Sequence, residues 1–205
     1  MTTVLIVYAS SMGNTKRMAE ALSMGAQSVD GVSVLLRTPE TADIDEVRNC
    51  DALVLGSPVR HGNADARLRK FIEDDCESLA CGGRLCNKLG AVFTVGANYG
   101  RQRDGGELAQ LALLRALAGA GMMLVSGSDE GRNPASPGPY WGPHTRLEGH
   151  ENGLDSLAQG MERLAYAHGK RIARLTLALA GQVVPGMSHT SRWPRIRHFF
   201  AGAAR

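Results

Sequence analysis

The feature that most constrains the fold is a continuous apolar run near the start of the chain, residues 3–8, which read TVLIVY. A strand with one face in water alternates apolar and polar residues, and this run does not. Strands that are apolar on both faces are typical of parallel sheets that helices cover on both sides. The run therefore predicts an α/β fold.

Four more strand patterns follow, separated by helical patterns. We predict strands at residues 32–37, 52–56, 89–95 and 122–127, and helices at residues 15–28, 44–49, 106–118 and 154–180. A further helix is marked by Ala64, Leu68, Phe71 and Ile72, whose spacing places them on one helical face. Five strands alternating with helices predict a doubly wound parallel sheet with helices on both faces. Residues 128–152 are predicted to be a functional loop, because structureless loops of this length are uncommon.

The length of 205 residues fits one domain. We assign residues 1–180 to that domain and residues 181–205 to a basic tail, which contains the segment RWPRIRHFF. Trp, Phe and Arg together suit an interface, and packing on a sister subunit is one expectation for the tail.

Composition excludes several classes of protein. The net charge of +3 is small, and the sequence lacks the dense basic face with interleaved aromatics of a nucleic-acid binder. No apolar run approaches the roughly 18 residues of a membrane-spanning helix, and no signal peptide is recognised. We therefore expect a cytoplasmic protein with no nucleic-acid partner and no integral membrane segment. The cysteines form no C-x-x-C pair, which favours free thiols and predicts no metal site; they are Cys50, Cys76, Cys81 and Cys86.

Small polar residues fill the junction between the first strand and the first helix. Ser10, Ser11, Gly13, Asn14 and Thr15 would stand at the amino terminus of that helix, where free backbone N–H groups and a partial positive charge favour anions. The P-loop and the G-x-G-x-x-G fingerprint are both absent, which favours a mononucleotide phosphate over a pyrophosphate. The alternative is ordinary helix capping by Ser11 or Asn14.

Two further loops are expected at the same edge of the sheet. They are GSPVRHGN, residues 56–63, and TVGANYGRQRDGG, residues 94–106. Ligands of open parallel sheets bind at the carboxyl ends of the strands, and the glycines in these loops permit close approach to a flat group. A phosphate in the first loop and a planar ring between the other two describe flavin mononucleotide (FMN).

With these segments in view, the chain resembles the flavodoxin-like fold, and within it the NAD(P)H:quinone oxidoreductases of the tryptophan-repressor-binding-protein family. The resemblance is carried by VLIVYASSMGNTKRMAEAL, SPVRHGNADARLRKFIED, KLGAVFTVGANYGRQ, AGAGMMLV and SPGPYWGP. It implies a five-stranded sheet in the order 2-1-3-4-5 and an FMN held without a covalent bond. This chain has His61 where an aromatic residue is usual, and Gly119 and Ala120 where a His is common.

The resemblance also implies which residues hold the cofactor. Those expected at the phosphate are Ser10, Ser11, Met12, Gly13, Asn14 and Thr15. Those expected around the isoalloxazine ring are Pro58, Val59, Arg60, His61, Gly62 and Asn63 on one side, and Thr94, Val95, Gly96, Ala97, Asn98, Tyr99 and Gly100 on the other. Met12 is expected on the substrate side of the ring, and Tyr140 and Trp141 could cover the site.

The implied activity is two-electron transfer, from NADH or NADPH through the flavin to a quinone-like acceptor. No dedicated acid–base residue is expected; His61 could donate a proton near flavin N5 or simply pack against the ring. Two alternatives stay open: an electron-carrier flavodoxin, and a non-catalytic flavin-binding or regulatory protein. A homodimer or homotetramer is expected from the resemblance.

Overall fold

The computed structural model describes residues 1–97, 105–127, 141–147 and 154–180. The elements in chain order are β1 (Thr2–Tyr8), α1 (Asn14–Gln27), β2 (Val32–Arg37), α2 (Ile44–Asn49), β3 (Ala52–Arg60), β4 (Asn63–Ala64), α3 (Ala66–Phe71), a π-helical turn (Ile72–Cys76), α4 (Glu77–Cys81), β5 (Leu89–Ala97), α5 (Gly106–Gly119), β6 (Met123–Leu124), β7 (His144–Leu147) and α6 (Leu154–Leu179).

The predicted doubly wound sheet is confirmed. Its strands run in the order β2-β1-β3-β5-β6, and the pairs along this path are parallel. In the described residues the sheet has seven strands rather than the expected five, because β4 pairs antiparallel with the end of β3 and β7 pairs in parallel with β5. With these two short strands set aside, the order equals the expected 2-1-3-4-5.

Both faces of the sheet are buried, as the apolar run of β1 predicts. Val4 and Ile6 belong to a core cluster with residues of α1 and α6. Leu5 and Val7 belong to a second cluster on the opposite face, with residues of α2, α3 and α5. Strict alternation along one strand between two cores explains why no polar residue interrupts it.

Two strands are longer than the sequence predicted. β3 continues past Gly56 to Arg60, and β5 continues past Val95 to Ala97. The extension of β3 is held by β5, because Ser57 pairs with Thr94 and Pro58 with Val95. The extension of β5 pairs with β7 instead, at Arg146 and Leu147. Proline is unusual inside a sheet because it lacks an N–H donor. For this reason the predicted strand ended at Gly56, before Pro58, whereas β3 continues to Arg60.

The predicted fifth strand, residues 122–127, is wrong in extent. Only Met123–Leu124 forms a strand, paired with Leu89 and Gly90 of β5. Farther along β5, the edge from Thr94 to Ala97 pairs in parallel with His144–Leu147, within the segment predicted to be a loop. Gln110 Nε2 fixes the entry to β7 by donating to the carbonyl oxygens of Gly142 and Pro143, each at 3.1 Å. The fifth position of the sheet is thus filled by two short segments that are distant in sequence.

α1 and α6 cross at very close range on one face of the sheet. A Cβ placed on Gly25 would lie 2.0 Å from the carbonyl oxygen of Tyr166, and a Cβ placed on Gly169 would lie 2.0 Å from that of Leu22. Only glycine, which has a hydrogen atom in place of a Cβ, lets the two backbones approach so closely at these positions.

Acidification is expected to destabilise the protein through His168. This imidazole lies in α6 with 2% exposure, and neither ring nitrogen has a hydrogen-bond partner. Burial first, and then the charge of Arg171, lower its pKa to about 4 from 6.5. The unfolded chain binds the proton below about pH 6.5, so the stability from this group is complete above that pH and is lost as the pH falls toward 4. The loss between pH 7 and pH 5 should be about 2 kcal/mol.

Urea unfolding midpoints at pH 7 and pH 5 test this expectation, with His168→Leu as the reference. The variant has no group to titrate at this position, so its stability should fall less over the same interval. If both proteins lost the same stability between pH 7 and pH 5, His168 would not be the cause of the acid destabilisation.

Candidate functional site

The carboxyl ends of three strands lie side by side at one edge of the sheet. Tyr8 of β1 pairs with Gly56 of β3, and Pro58 of β3 pairs with Val95 of β5. The segments that follow these strands are the three that the sequence analysis singled out.

The amino terminus of α1 has no side-chain cap. Its N-cap residue is Gly13, in the left-handed region at φ +84°, and no acidic residue stands in the first turn. The nearby Ser10 hydroxyl accepts a hydrogen bond from the Gly13 N–H at 3.2 Å, inside the loop. The alternative of capping by Ser11 or Asn14 is therefore wrong. By contrast, α2 and α3 are each capped by an aspartate, Asp43 and Asp65.

The loop before α1 is open to solvent. A Cβ placed on Gly13 would meet nothing within 4 Å, and Met12 is 78% exposed. Ser11 is exposed, Ser10 and Asn14 are half-buried, and Thr15 is buried in the first turn of α1. The geometry suits a small anion, because first-turn N–H groups have no intrahelical partner and face a site with room for a ligand.

Two arginines reach this loop from another part of the chain. Arg60 Nη2 donates to Ser11 Oγ at 2.9 Å, and Arg67 Nη2 donates to the same oxygen at 3.1 Å. Arg60 is the last residue of β3, and Arg67 lies in the first turn of α3. The site thus adds fixed positive charge to the partial charge of the helix terminus.

A buried carboxylate organises the arginines. Asp65 Oδ1 accepts from Arg67 Nε at 2.9 Å, Asp65 Oδ2 accepts from Arg67 Nη2 at 3.1 Å, and Arg60 Nε lies 3.7 Å from Oδ2. The hydrogen bond from Arg67 is the main cause that lowers the pKa of Asp65, and Asp65 in turn raises the pKa of Arg67. Both groups are therefore charged at neutral pH.

A cleft of about 310 Å³ adjoins the loop. Its walls include Ser10 and Gly13 of the loop, Lys16 of α1 and Arg67 of α3, with Tyr8, Ala9, Thr38 and Glu40 completing the lining. Sequence reasoning missed Lys16, Thr38, Glu40, Asp65 and Arg67. The only available signal was Asp65 as a helix N-cap, and nothing in the local pattern relates Arg67 to Ser11.

The second predicted loop is mostly a hairpin. Val59 pairs with Ala64 and Arg60 with Asn63, so His61 and Gly62 form a two-residue turn. Both turn residues have positive φ, +50° and +77°, as a type I′ turn requires. His61 is therefore presented at a tip whose backbone conformation is unusual for a residue with a Cβ.

The third predicted segment is described only in part. Thr94 to Ala97 lie in β5, and the buried Thr94 hydroxyl is 2.8 Å from His144 Nδ1. Asn98, Tyr99, Gly100 and Tyr140 lie outside the described residues, as does the tail, residues 181–205. A Cβ on Gly105 would lie 2.4 Å from Gly62 Cα, so the start of α5 touches the hairpin. Trp141 is 40% exposed.

The four cysteines are free thiols, as predicted. Burial raises the pKa of Cys50 to about 11 and that of Cys76 to about 12, so neither is a thiolate near neutral pH. Among the residues that the structure describes, no group of three His, Cys, Asp or Glu could hold a metal ion. Within the same residues, no helix has the length and apolar character needed to span a membrane.

The chain is similar to known proteins of the flavodoxin type. The family model described as a flavodoxin domain matches residues 5–106. A protein named NAD(P)H dehydrogenase (quinone) from Geotalea uraniireducens (strain Rf4) is 35% identical, and the alignment covers 60% of this chain and 70% of that protein. A protein named flavodoxin from Aquifex aeolicus (strain VF5) is 30% identical, with 62% of this chain and 65% of that protein covered. The chain thus spans 65% and 70% of the lengths of these two curated relatives.

A solved structure agrees over most of the chain. It is the flavodoxin, WrbA-like protein from Agrobacterium tumefaciens, which matches 87% of this chain and 99% of its own with a TM-score of 0.67. At 20% identity this likeness concerns the fold. The matched domain and the 35% identical relative, of which the alignment covers 70%, show that this chain belongs to the flavodoxin-like family.

Proposed function

We propose that this protein is an FMN-dependent oxidoreductase that takes a hydride from NADH or NADPH and passes two electrons to a quinone-like acceptor. The observation that supports FMN as the cofactor is the uncapped amino terminus of α1, with two arginines directed at the loop before it. Donor and acceptor are supported by the relative named NAD(P)H dehydrogenase (quinone).

The residues at this edge fit the two ends of FMN. Backbone N–H groups at Asn14 and Thr15 would bind the phosphate, because they stand at a helix terminus with room for an anion. The hairpin tip at His61 would flank one side of the ring, and the end of β5, Thr94 to Ala97, the other.

When bound, FMN supplies the hydride and electron chemistry of the reaction. The protein would orient the ring and leave one face accessible. Met12 and Trp141 are exposed apolar side chains, and we propose that they border the place where donor and acceptor approach. His61 would contact the ring edge and could hold a proton near N5.

The visible spectrum of the protein with FMN tests the proposal. We expect tight FMN binding, loss of the yellow absorbance on anaerobic addition of NADH or NADPH, and recovery on addition of benzoquinone. The difference between the two donors would show which nucleotide is used. If the protein does not bind FMN, the assignment of the α1 loop as a phosphate site is wrong.

A second candidate is an electron carrier, because one relative at 30% identity is named flavodoxin. A carrier would bind FMN equally well but would receive electrons from a protein partner. FMN binding without bleaching by either nucleotide would favour this candidate.

A further inference from the structure

Two guanidinium groups meet at one neutral hydroxyl beside the start of α1. Arg60 Nη2 and Arg67 Nη2 lie 2.9 and 3.1 Å from the same atom, Ser11 Oγ. The two like charges repel each other; Asp65 offsets part of this repulsion, and an anion beside Ser11 would offset more of it. The place where they meet is therefore suited to an anionic oxygen.

Asp65 holds Arg67 in place without cancelling the charge. One carboxylate serves both guanidinium groups, so the cluster of Arg60, Asp65 and Arg67 keeps one net positive charge. Asp65 is itself fixed, since its side chain caps α3 at the Arg67 N–H and its own N–H donates to Ser57 Oγ at 2.8 Å. Arg67 is consequently anchored from behind, and the end of its side chain is directed at the loop.

The cleft beside the loop contains a second cation. Lys16 and Arg67 line it together with Ser10, Gly13 and Glu40, and the Glu40 carboxylate is near enough to Arg67 to help raise its pKa. Lys16 also lies 3.8 Å from Glu20 at the surface of α1, so it contributes less fixed charge than the arginines. The strongest fixed charge in the cleft is that of Arg67.

We propose that Arg67, held by Asp65, forms with Arg60 a cationic clamp for the phosphate monoester of the cofactor, so that the protein selects phosphorylated flavin over riboflavin by charge. A phosphate monoester carries nearly two negative charges at pH 7, which two guanidinium groups match. Planar guanidinium groups also bind phosphate with defined geometry. This inference rests on the proposed function, because it specifies how the same loop recognises FMN.

The test compares the dissociation constants of FMN and riboflavin, measured by quenching of flavin fluorescence. Arg67→Ala should weaken FMN binding about 10- to 100-fold, as expected for a lost hydrogen bond to a charged group. Riboflavin has no phosphate, so its affinity should change by less than about twofold. Arg67→Lys keeps the charge but not the planar fork, and its FMN affinity should fall between those of the wild type and Arg67→Ala.

The matched control is Arg69→Ala. Arg69 lies on the same helix and is exposed, so its loss removes an equal charge without touching the loop. FMN affinity should stay within about twofold of wild type. A second readout is salt: raising ionic strength should weaken FMN binding to the wild type more than to Arg67→Ala.

Three results would overturn the clamp. They are unchanged FMN affinity in Arg67→Ala, equal losses of FMN and riboflavin affinity, and equal affinities of the wild type for the two flavins. Each of these leaves flavin binding, and hence the proposed function, standing. A wild-type protein that binds neither flavin would instead remove the proposed function itself.

Discussion

Gly169→Ala is expected to lower the free energy of unfolding by about 3 kcal/mol. The added methyl group would lie 2.0 Å from the carbonyl oxygen of Leu22 and 2.8 Å from its carbonyl carbon. These are backbone atoms of α1, so relief requires the two helices to separate, and the core between them loses contacts. Alanine gains about 1 kcal/mol of helix propensity over glycine, which is too little to offset the clash.

Gly160→Ala is the matched control in the same helix. A Cβ at that position meets nothing within 4 Å, so only the gain in helix propensity should remain, a stabilisation of about 0.5–1 kcal/mol. Chemical unfolding of both variants and the wild type measures the difference. If Gly169→Ala were as stable as Gly160→Ala, α1 and α6 would not cross as closely as described.

Ser11→Asp is expected to weaken FMN binding by 100-fold or more, which corresponds to a loss of at least about 2.7 kcal/mol of binding free energy. The new carboxylate would stand within reach of Arg60 and Arg67, because both already contact the Ser11 hydroxyl. It would neutralise the arginines and repel the phosphate. Fluorescence titration with FMN measures the loss, and chemical unfolding should show a stability close to that of the wild type.

Ser11→Ala separates the effect of the added charge from the effect of losing the hydroxyl. It removes one polar contact and adds no charge, so its loss of FMN affinity should be no more than about tenfold. Wild-type affinity in Ser11→Asp would mean that the phosphate does not lie beside Ser11. It would contradict the site at the start of α1 directly.

Much of the edge that carries the site could be predicted from local patterns. The junction between β1 and α1 was visible because an apolar run changes to small polar residues and then to helical spacing within a few positions. The hairpin at His61 and Gly62 was predicted only as a loop, since Pro58 suggested the end of a strand. Pairing of Pro58 with Val95 on the neighbouring strand decided otherwise.

Helix faces were less predictable than helix positions. The bounds of α5 agree with the sequence pattern to one residue, yet Leu108 and Leu111 are exposed while Gln110 is buried. Gln110 is inside because its amide binds the carbonyl groups that lead into β7. No periodicity in α5 itself could report a contact more than thirty residues away.

The sequence by itself determined the class of fold, the alternation of its main strands and helices, and the loop at the start of α1. These features depend on neighbours within a few residues, where apolar spacing and turn chemistry act. Only the tertiary structure decided that β6 and β7 share one edge of β5, that Gly25 and Gly169 let two helices touch, and that Arg60 and Arg67 meet at Ser11. Each of these depends on residues that are far apart in the chain and that packing brings together.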